Sequence, residues 1–318
     1  MNDGLVVQLL ASAVLFGTPL LIAALGELLA ERSGILNLGV EGMMLVGAVS
    51  GFLVSQRIGG PGWTALLVAV VAAGVVGGGM GLIHAFLTVT LRANQIVSGL
   101  ALTIFGGAIG LSSYIGDSQH LTGQAARHQF EAINLFGLSD LPILGPVLFH
   151  HTLFVYGSWV LVAAVAYYLY RTRAGLHLRA VGEDPAAADA MGISVTGYRY
   201  VHTVAGGVFA GVAGAFYTLA LSGNWSNGIT AGAGWIALAM VVLAFWRPEL
   251  VIVGAYLFGG IAALGPNLQA RNVSLPPELF SALPYLMTIV VLVLVSSAWA
   301  RGRLNAPAAL GTAYMRGE

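Results

Sequence analysis

The 318-residue chain contains no cysteine, and all 13 of its basic side chains are arginine. Without cysteine it forms no disulfide, thiolate metal site or thiol nucleophile. Without lysine it has no Walker A lysine, Schiff base or lysine general base. Charge of either sign is scarce. Only 8% of residues are charged, 13 basic groups balance 13 acidic ones, and no basic tract exists to attract nucleic acid. What fills the chain is apolar: 58% hydrophobic residues and a mean hydropathy of +0.86 are a membrane composition. The first residues, Met1 to Gly4, lack the positive region of a cleaved signal peptide, so the first apolar run is expected to remain as a span.

A helix needs about 20 apolar residues to cross the hydrocarbon layer. That ruler predicts an all-α polytopic transmembrane bundle of nine spans, near residues 7–27, 34–56, 64–91, 95–115, 151–170, 200–221, 228–246, 249–265 and 281–300. Asn37, Gly39, Glu41 and Gly42 interrupt the second, and Gly228, Gly232 and Gly234 crowd the start of the seventh. The chain 1–318 reads as one transmembrane domain with a cytoplasmic loop near 171–199, an outer loop near 116–150 and a cytoplasmic tail at 301–318. With the N-terminus outside, Arg32, Arg92, Arg171, Arg173, Arg179, Arg199, Arg247, Arg301, Arg303 and Arg316 fall inside, and Arg57, Arg127 and Arg271 outside. That asymmetry satisfies the positive-inside rule.

One polar segment, residues 175–193 (GLHLRAVGEDPAAADAMGI), separates two apolar stretches. Asp184 is placed to cap a short helix, Pro185 fits its first position, Ala186 to Ala190 favour it, and Gly192 supplies a left-handed stop. The helix reads either as a surface connector or as a docking element, its small side chains letting another protein approach closely. The orientation puts it in the cytoplasm.

Two constellations are candidates for a pathway. Asn37 and Glu41, spaced i and i+4, are expected on one helix face, and a carboxylate there must avoid lipid. They read as pathway lining or as a polar pair locking neighbouring helices. Residues 228–240 form a second glycine-rich lead-in, running oppositely to the first, as an inverted repeat around a central route leaves behind. Trp225 and Trp235 stand beside it, available to stack on a planar solute. Asn94, Gln95 and Ser98 form a further polar cluster, read first as a cap and interfacial anchor. Arg247 and Glu249, in the turn after span seven, suit the headgroup level first and a contact with a partner second. The outer loop holds His120, His128, His150 and His151 without metal-ligand spacing and reads as a lid.

Several blocks carry a resemblance: residues 27–45 (ELLAERSGILNLGVEGMML), 92–99 (RANQIVSG), 138–146 (LSDLPILGP), 179–187 (RAVGEDPAA) and 232–239 (GAGWIALA). They resemble the inner-membrane permease subunits of bacterial ABC importers for nucleosides and simple sugars, in the branched-chain/ribose-type permease superfamily. The first and third look nearest to the branch served by basic membrane protein-type lipoproteins. The resemblance implies a bacterial plasma-membrane location, a homologous second permease, cytoplasmic ABC ATPases and an extracytoplasmic substrate-binding lipoprotein. ATP and Mg are then bound by the partner ATPase and no cofactor by this chain. It also implies that residues 183–193 form the coupling helix, so Glu183, Asp184, Pro185, Ala187, Ala188 and Gly192 are the coupling residues, while Asn37, Glu41, Asn94 and Trp235 are the pathway candidates. Other classes stay open. A secondary transporter needs an ion-coupling route that the sparse intramembrane charge hardly supplies, and a channel needs symmetric oligomers without an ATPase. An enzyme is the weakest reading, because no nucleophile, base and metal cluster together.

Overall fold

Long apolar runs punctuated by glycine, proline and asparagine fold as helices here, since a helix satisfies its own backbone polar groups where water is absent. The computed structural model describes residues 4–59, 61–271, 276–295 and 305–315. Its helices are α1 (Leu5–Arg32), α2 (Val40–Arg57), α3 (Gly62–Ala85), α4 (Gln95–Gly106), α5 (Leu111–Ser118), α6 (Leu153–Arg171), α7 (Arg173–Glu183), α8 (Pro185–Ala190), α9 (Val195–Phe216), α10 (Ala233–Leu243), α11 (Pro248–Gln269) and α12 (Pro277–Val295). Two three-residue strands, β1 (Ala132–Asn134) and β2 (His150–Thr152), pair antiparallel in the loop between α5 and α6.

Nine spans were expected, and six helices among the described residues have the length and apolarity of a span. Among the described residues, the helices long and apolar enough to cross a membrane are α1, α3 with its continuation to Thr90, α4 with α5, α6, α9 with its continuation to Leu221, and α11. The second expected span became α2, a helix buried along most of its length inside the bundle. An all-round apolar run is shared by a membrane helix and a core helix, so hydropathy alone does not separate them. The seventh became α10, only 11 residues long. The ninth became α12, whose apolar stretch is also short, and residues 296–300 of that expectation lie outside the described ones, as do Arg301, Arg303 and Arg316. The fourth is itself broken, at Gly107 to Gly110 between α4 and α5.

Packing at the centre is backbone against backbone. A Cβ added at Gly77 of α3 would fall 2.3 Å from the Gly207 carbonyl oxygen and 2.8 Å from the Gly211 Cα, both on α9. One added at Gly47 of α2 would fall 2.4 Å from the Gly211 carbonyl oxygen. Lipid tails leave little hydrophobic drive between helices, and such close approach supplies the dispersion contact that replaces it. Both α3 and α9 end in a widened i→i+5 turn, Phe86–Thr90 and Tyr217–Leu221. Each wide turn is followed by irregular chain, before α4 in one case and α10 in the other. By that order α10 answers to α4 as well as to α2.

The loop between α5 and α6 crosses the ends of α2 and α9, with Gln56 Nε2 donating to the Ala125 carbonyl (2.7 Å), Ala126 N–H to Gly223 (2.7 Å) and Phe130 N–H to Leu219 (2.8 Å). At the opposite end, α7 and α8 meet the segment 305–315.

Candidate functional site

The chain between α1 and α2 is irregular, and four polar side chains around it bond its backbone groups. Glu27 Oε1 accepts the Asn37 N–H (3.1 Å), Gln95 Oε1 accepts the Leu36 N–H (2.7 Å), and Thr103 donates to the Leu38 carbonyl (2.7 Å). His84 reaches the Leu36 carbonyl through Nε2 (3.1 Å) and Ser98 Oγ through Nδ1 (2.9 Å). Non-helical backbone at membrane depth persists only where protein supplies such partners. Asn37 precedes α2, and its Oδ1 accepts the Gly39 N–H at 3.0 Å. The helix face that Asn37 and Glu41 were expected to share therefore does not form, because the asparagine bonds its own backbone in competition with the helix.

Glu41, in the first turn of α2, crosses to the start of α10. Its Oε1 accepts from Thr230 Oγ1 (2.6 Å) and the Gly232 N–H (2.9 Å), and its Oε2 from the Gly234 N–H (2.7 Å). Gly232 holds φ +81° at the N-cap of α10, so a carboxylate from another helix supplies the cap that this helix lacks in its own sequence. Free N–H groups and the positive dipole end both favour an anion there. Contact is tight: a Cβ at Gly234 would lie 2.5 Å from the Glu41 nitrogen.

Beside this junction lies a cavity of about 410 Å³, walled by Phe16, Tyr217, Phe258, Phe280 and Tyr285 and edged by Thr230 and Gln269. Tyr285 donates to the Ala231 carbonyl at 2.5 Å, closing one side against the irregular chain. Aromatic walls with a few polar groups suit a ring-bearing polar solute, and the volume falls within the range of small-molecule sites.

At the far end, α8 has the predicted build. Asp184 Oδ1 accepts the Ala187 N–H (2.9 Å), Pro185 occupies the first turn and Gly192 holds φ +80°. Ala186, Ala187, Ala190 and Met191 are exposed, whereas Ala188 is buried against Val181 and Val195. The alanine pair thus divides, Ala187 facing out and Ala188 in. Segment 305–315 ties this element to the first break: Ala309 N–H donates to Gly182 (2.9 Å), Gly311 N–H to Gly34 (3.1 Å), and Arg199 Nη1 to Thr312 (3.0 Å). Glu183 accepts the Ala308 N–H at 3.3 Å.

Residues 9–292 match the family described as branched-chain amino acid transport system / permease component. The chain belongs to this permease family. It is 41% identical over 329 aligned residues to a putative glucose ABC transporter permease protein of Haloferax volcanii, covering 97% of each chain. It is 34% identical to a nucleoside ABC transporter permease protein of Lactococcus lactis, covering 98% of this chain and 97% of that one. A guanosine ABC transporter permease protein of Bacillus subtilis is also 34% identical, with 98% and 99% covered. The protein is accordingly an ABC transporter permease, a multi-pass membrane subunit of a transport family rather than a catalytic one.

Within the permease, the sequence-predicted residues separate by role. Glu41 sits in the junction at 7% exposure, Asn37 is a buried turn residue, and exposed Asn94 caps α4 by accepting the Val97 N–H (3.1 Å). Trp235 is half-buried on the first turn of α10, outside the walls of the 410 Å³ cavity. Trp225 is core: it is 1% exposed, and a Cβ at Gly116 would overlap its ring. Sequence reasoning missed His84, Thr103 and the carboxyl pair Glu27 and Glu31. Two glutamates one helical turn apart in a 28-residue apolar helix were the available signal.

Proposed function

We propose that this permease passes a nucleoside across the plasma membrane, driven by ATP hydrolysed on a partner chain. The observation that carries the reading is the junction at Glu41, which pins two interrupted helices beside an aromatic-walled cavity of about 410 Å³. A neutral nucleoside needs hydrogen-bonding partners and an apolar wall rather than a charged trap, and weak binding favours release. Asn37, Glu41, Asn94 and Trp235 remain the pathway candidates, with Glu41 acting as the lock between helices. A simple sugar is the second reading, favoured by the 41% identity to the putative glucose permease protein.

The coupling residues are Glu183, Asp184, Pro185, Ala187, Ala188 and Gly192. In this reading the exposed alanine face of α8 docks on a cytoplasmic ABC ATPase, which also binds the ATP and Mg. Movement of α8 then has a covalent and hydrogen-bonded route inward, through Gly182 and Ala309 to Gly34 and the break before Glu41. A homologous second permease completes the route, and an extracytoplasmic lipoprotein delivers substrate. The N-terminus lies outside and the segment 305–315 in the cytoplasm, as the arginine asymmetry favours.

The test is uptake in proteoliposomes holding this chain, its partner permease and the ATPase, supplied with the binding protein. ATP-dependent accumulation of uridine or adenosine over glucose supports the nucleoside reading. Glucose uptake alone selects the sugar, and uptake that ignores ATP and the ATPase returns the chain to the channel or secondary-transporter class.

A further inference from the structure

Where α1 and α6 end and α11 begins, a second cavity of about 430 Å³ opens, lined by Arg32, Tyr170, Arg179, Glu183, Arg247 and Glu249 with Asn305 at its edge. Its charged groups are unequally satisfied. Glu249 accepts the Tyr170 hydroxyl (3.2 Å) and Glu183 the Ala308 N–H (3.3 Å). Arg32, 8% exposed, gives its terminal nitrogens to the carbonyls of Trp246 (2.7 Å) and Asn305 (3.2 Å), and its Nε is buried without a partner. The Nε of Arg179 is buried without a partner as well. Among the described residues no hydrogen bond joins these three guanidinium groups to the two carboxylates.

Three positive groups against two negative ones therefore surround an open polar cavity whose carboxylates have donors, whereas the Nε atoms of Arg32 and Arg179 have no acceptor. The planar guanidinium fork pairs with two oxygens of a phosphate or a carboxylate, a geometry that chloride does not offer. Position narrows the source. Three spans end at the walls, the level at which a bundle leaves the hydrocarbon and head groups begin, and an interfacial tyrosine stands in the wall. Basic pockets between membrane helices at this depth recruit anionic lipid head groups.

We propose that this cavity is a phosphate-binding site, occupied by the head group of an anionic phospholipid. Arg179 and Arg247 grip the phosphate, and the buried Arg32 holds the floor in position. Because the walls belong to α1, α7, α11 and the 305–315 segment, a bound head group cross-links the base of α8 to the first span. Nothing in this site depends on which solute the permease carries.

The test uses the full chain, stripped of lipid in detergent, and titrates it with phosphatidylglycerol, phosphatidylcholine or inorganic phosphate. Native mass spectrometry reads lipid adducts, and the thermal midpoint reads binding of either ligand. The variants are Arg179→Gln with Arg247→Gln, which leave buried Arg32 intact, and the paired lysine replacements, which keep charge but lose the fork. Preferential retention of phosphatidylglycerol by the parent, reduced on the order of ten-fold or more in the glutamine pair and partly restored by the lysine pair, supports the lipid source. A midpoint raised by inorganic phosphate in the parent alone, without lipid preference, supports the phosphate site and moves its source to solution. Equal binding of all three ligands by parent and variants overturns the proposal. So does protection of the two arginines from phenylglyoxal by the ATPase alone, which would make them a protein contact.

Discussion

Two groups of buried carboxylates stand at opposite ends of the same short stretch of chain, and they are built differently. Glu41 meets three donors, two of them backbone N–H groups at the start of α10. Glu27 and Glu31, both on α1 and at most 1% exposed, accept the Asn37 N–H and the Trp246 indole N–H and lie against each other, and among the described residues no N–H or hydroxyl of a third residue meets Glu27 Oε2. Backbone donors at a helix N-terminus are present whatever the local side chains, so the first arrangement is a complete cap in trans. The second is incomplete, and an unmet acceptor in a buried site is expensive to keep. The difference separates a junction set firmly in this conformation from one with spare bonding capacity next to the Gly34 to Gly39 break.

The largest effects should follow from opening the complete junction. Glu41→Leu strands the Thr230 hydroxyl and two N–H groups, each costing about 1–3 kcal/mol when buried without a partner. Uridine and adenosine uptake with the ATPase present should fall below roughly a tenth of the parent, with a lower thermal midpoint as several kcal/mol of bonding is lost. Glu41→Gln keeps an acceptor for Thr230 and Gly232 and should retain much of the activity. Gly234→Ala attacks the same contact from α10, forcing a methyl group to within 2.5 Å of the Glu41 nitrogen, and should resemble the leucine variant. Parental uptake by Glu41→Leu would remove the junction from both transport and assembly.

Next in size is the element that the segment 305–315 links to these carboxylates. Ala187→Glu adds charge to an exposed position, so insertion and midpoint should match the parent while ATPase co-purification and uptake fall several-fold. Ala188→Glu buries its charge among Val181 and Val195 and should also lower the midpoint, an unpaired buried charge costing about 3–5 kcal/mol. Normal uptake in Ala187→Glu would leave α8 an ordinary connector.

How far these features were legible depends on the distance over which each is determined. The cap at Asp184, the proline at the first position and the stop at Gly192 are local, and the sequence alone specified them. Glu41 was legible as a carboxylate that must avoid lipid, but its partners lie 189 to 193 residues away, and backbone N–H groups leave no side-chain signature. The i, i+4 pairing with Asn37 failed for a local reason, the Asn37 bond to Gly39. Of the nine expected spans, six are matched by described helices of spanning length, and hydropathy did not reveal that α2 would be buried within the bundle, because that depends on distant packing. His84 and Thr103 passed unnoticed because one histidine or threonine in an apolar helix is ordinary until a broken backbone is found against it.

The smallest effect should come from completing the incomplete group. Glu27→Gln keeps the Oε1 acceptor for the Asn37 N–H and replaces Oε2 with an amide nitrogen that donates, one turn from the Glu31 carboxyl. The substitution also removes one of two adjacent buried carboxyl groups, so repulsion and desolvation both decrease. The net gain expected from one added bond to a carboxylate is about 1–2 kcal/mol, set against slight repacking. The thermal midpoint should therefore hold or rise by a few degrees, while nucleoside uptake stays within about two-fold of the parent. A midpoint that falls as far as in Glu41→Leu would mean that Glu27 needs its full carboxylate, and the two groups would then be alike in kind. A raised midpoint with uptake sharply reduced would mean that spare bonding capacity beside the break is itself used during transport.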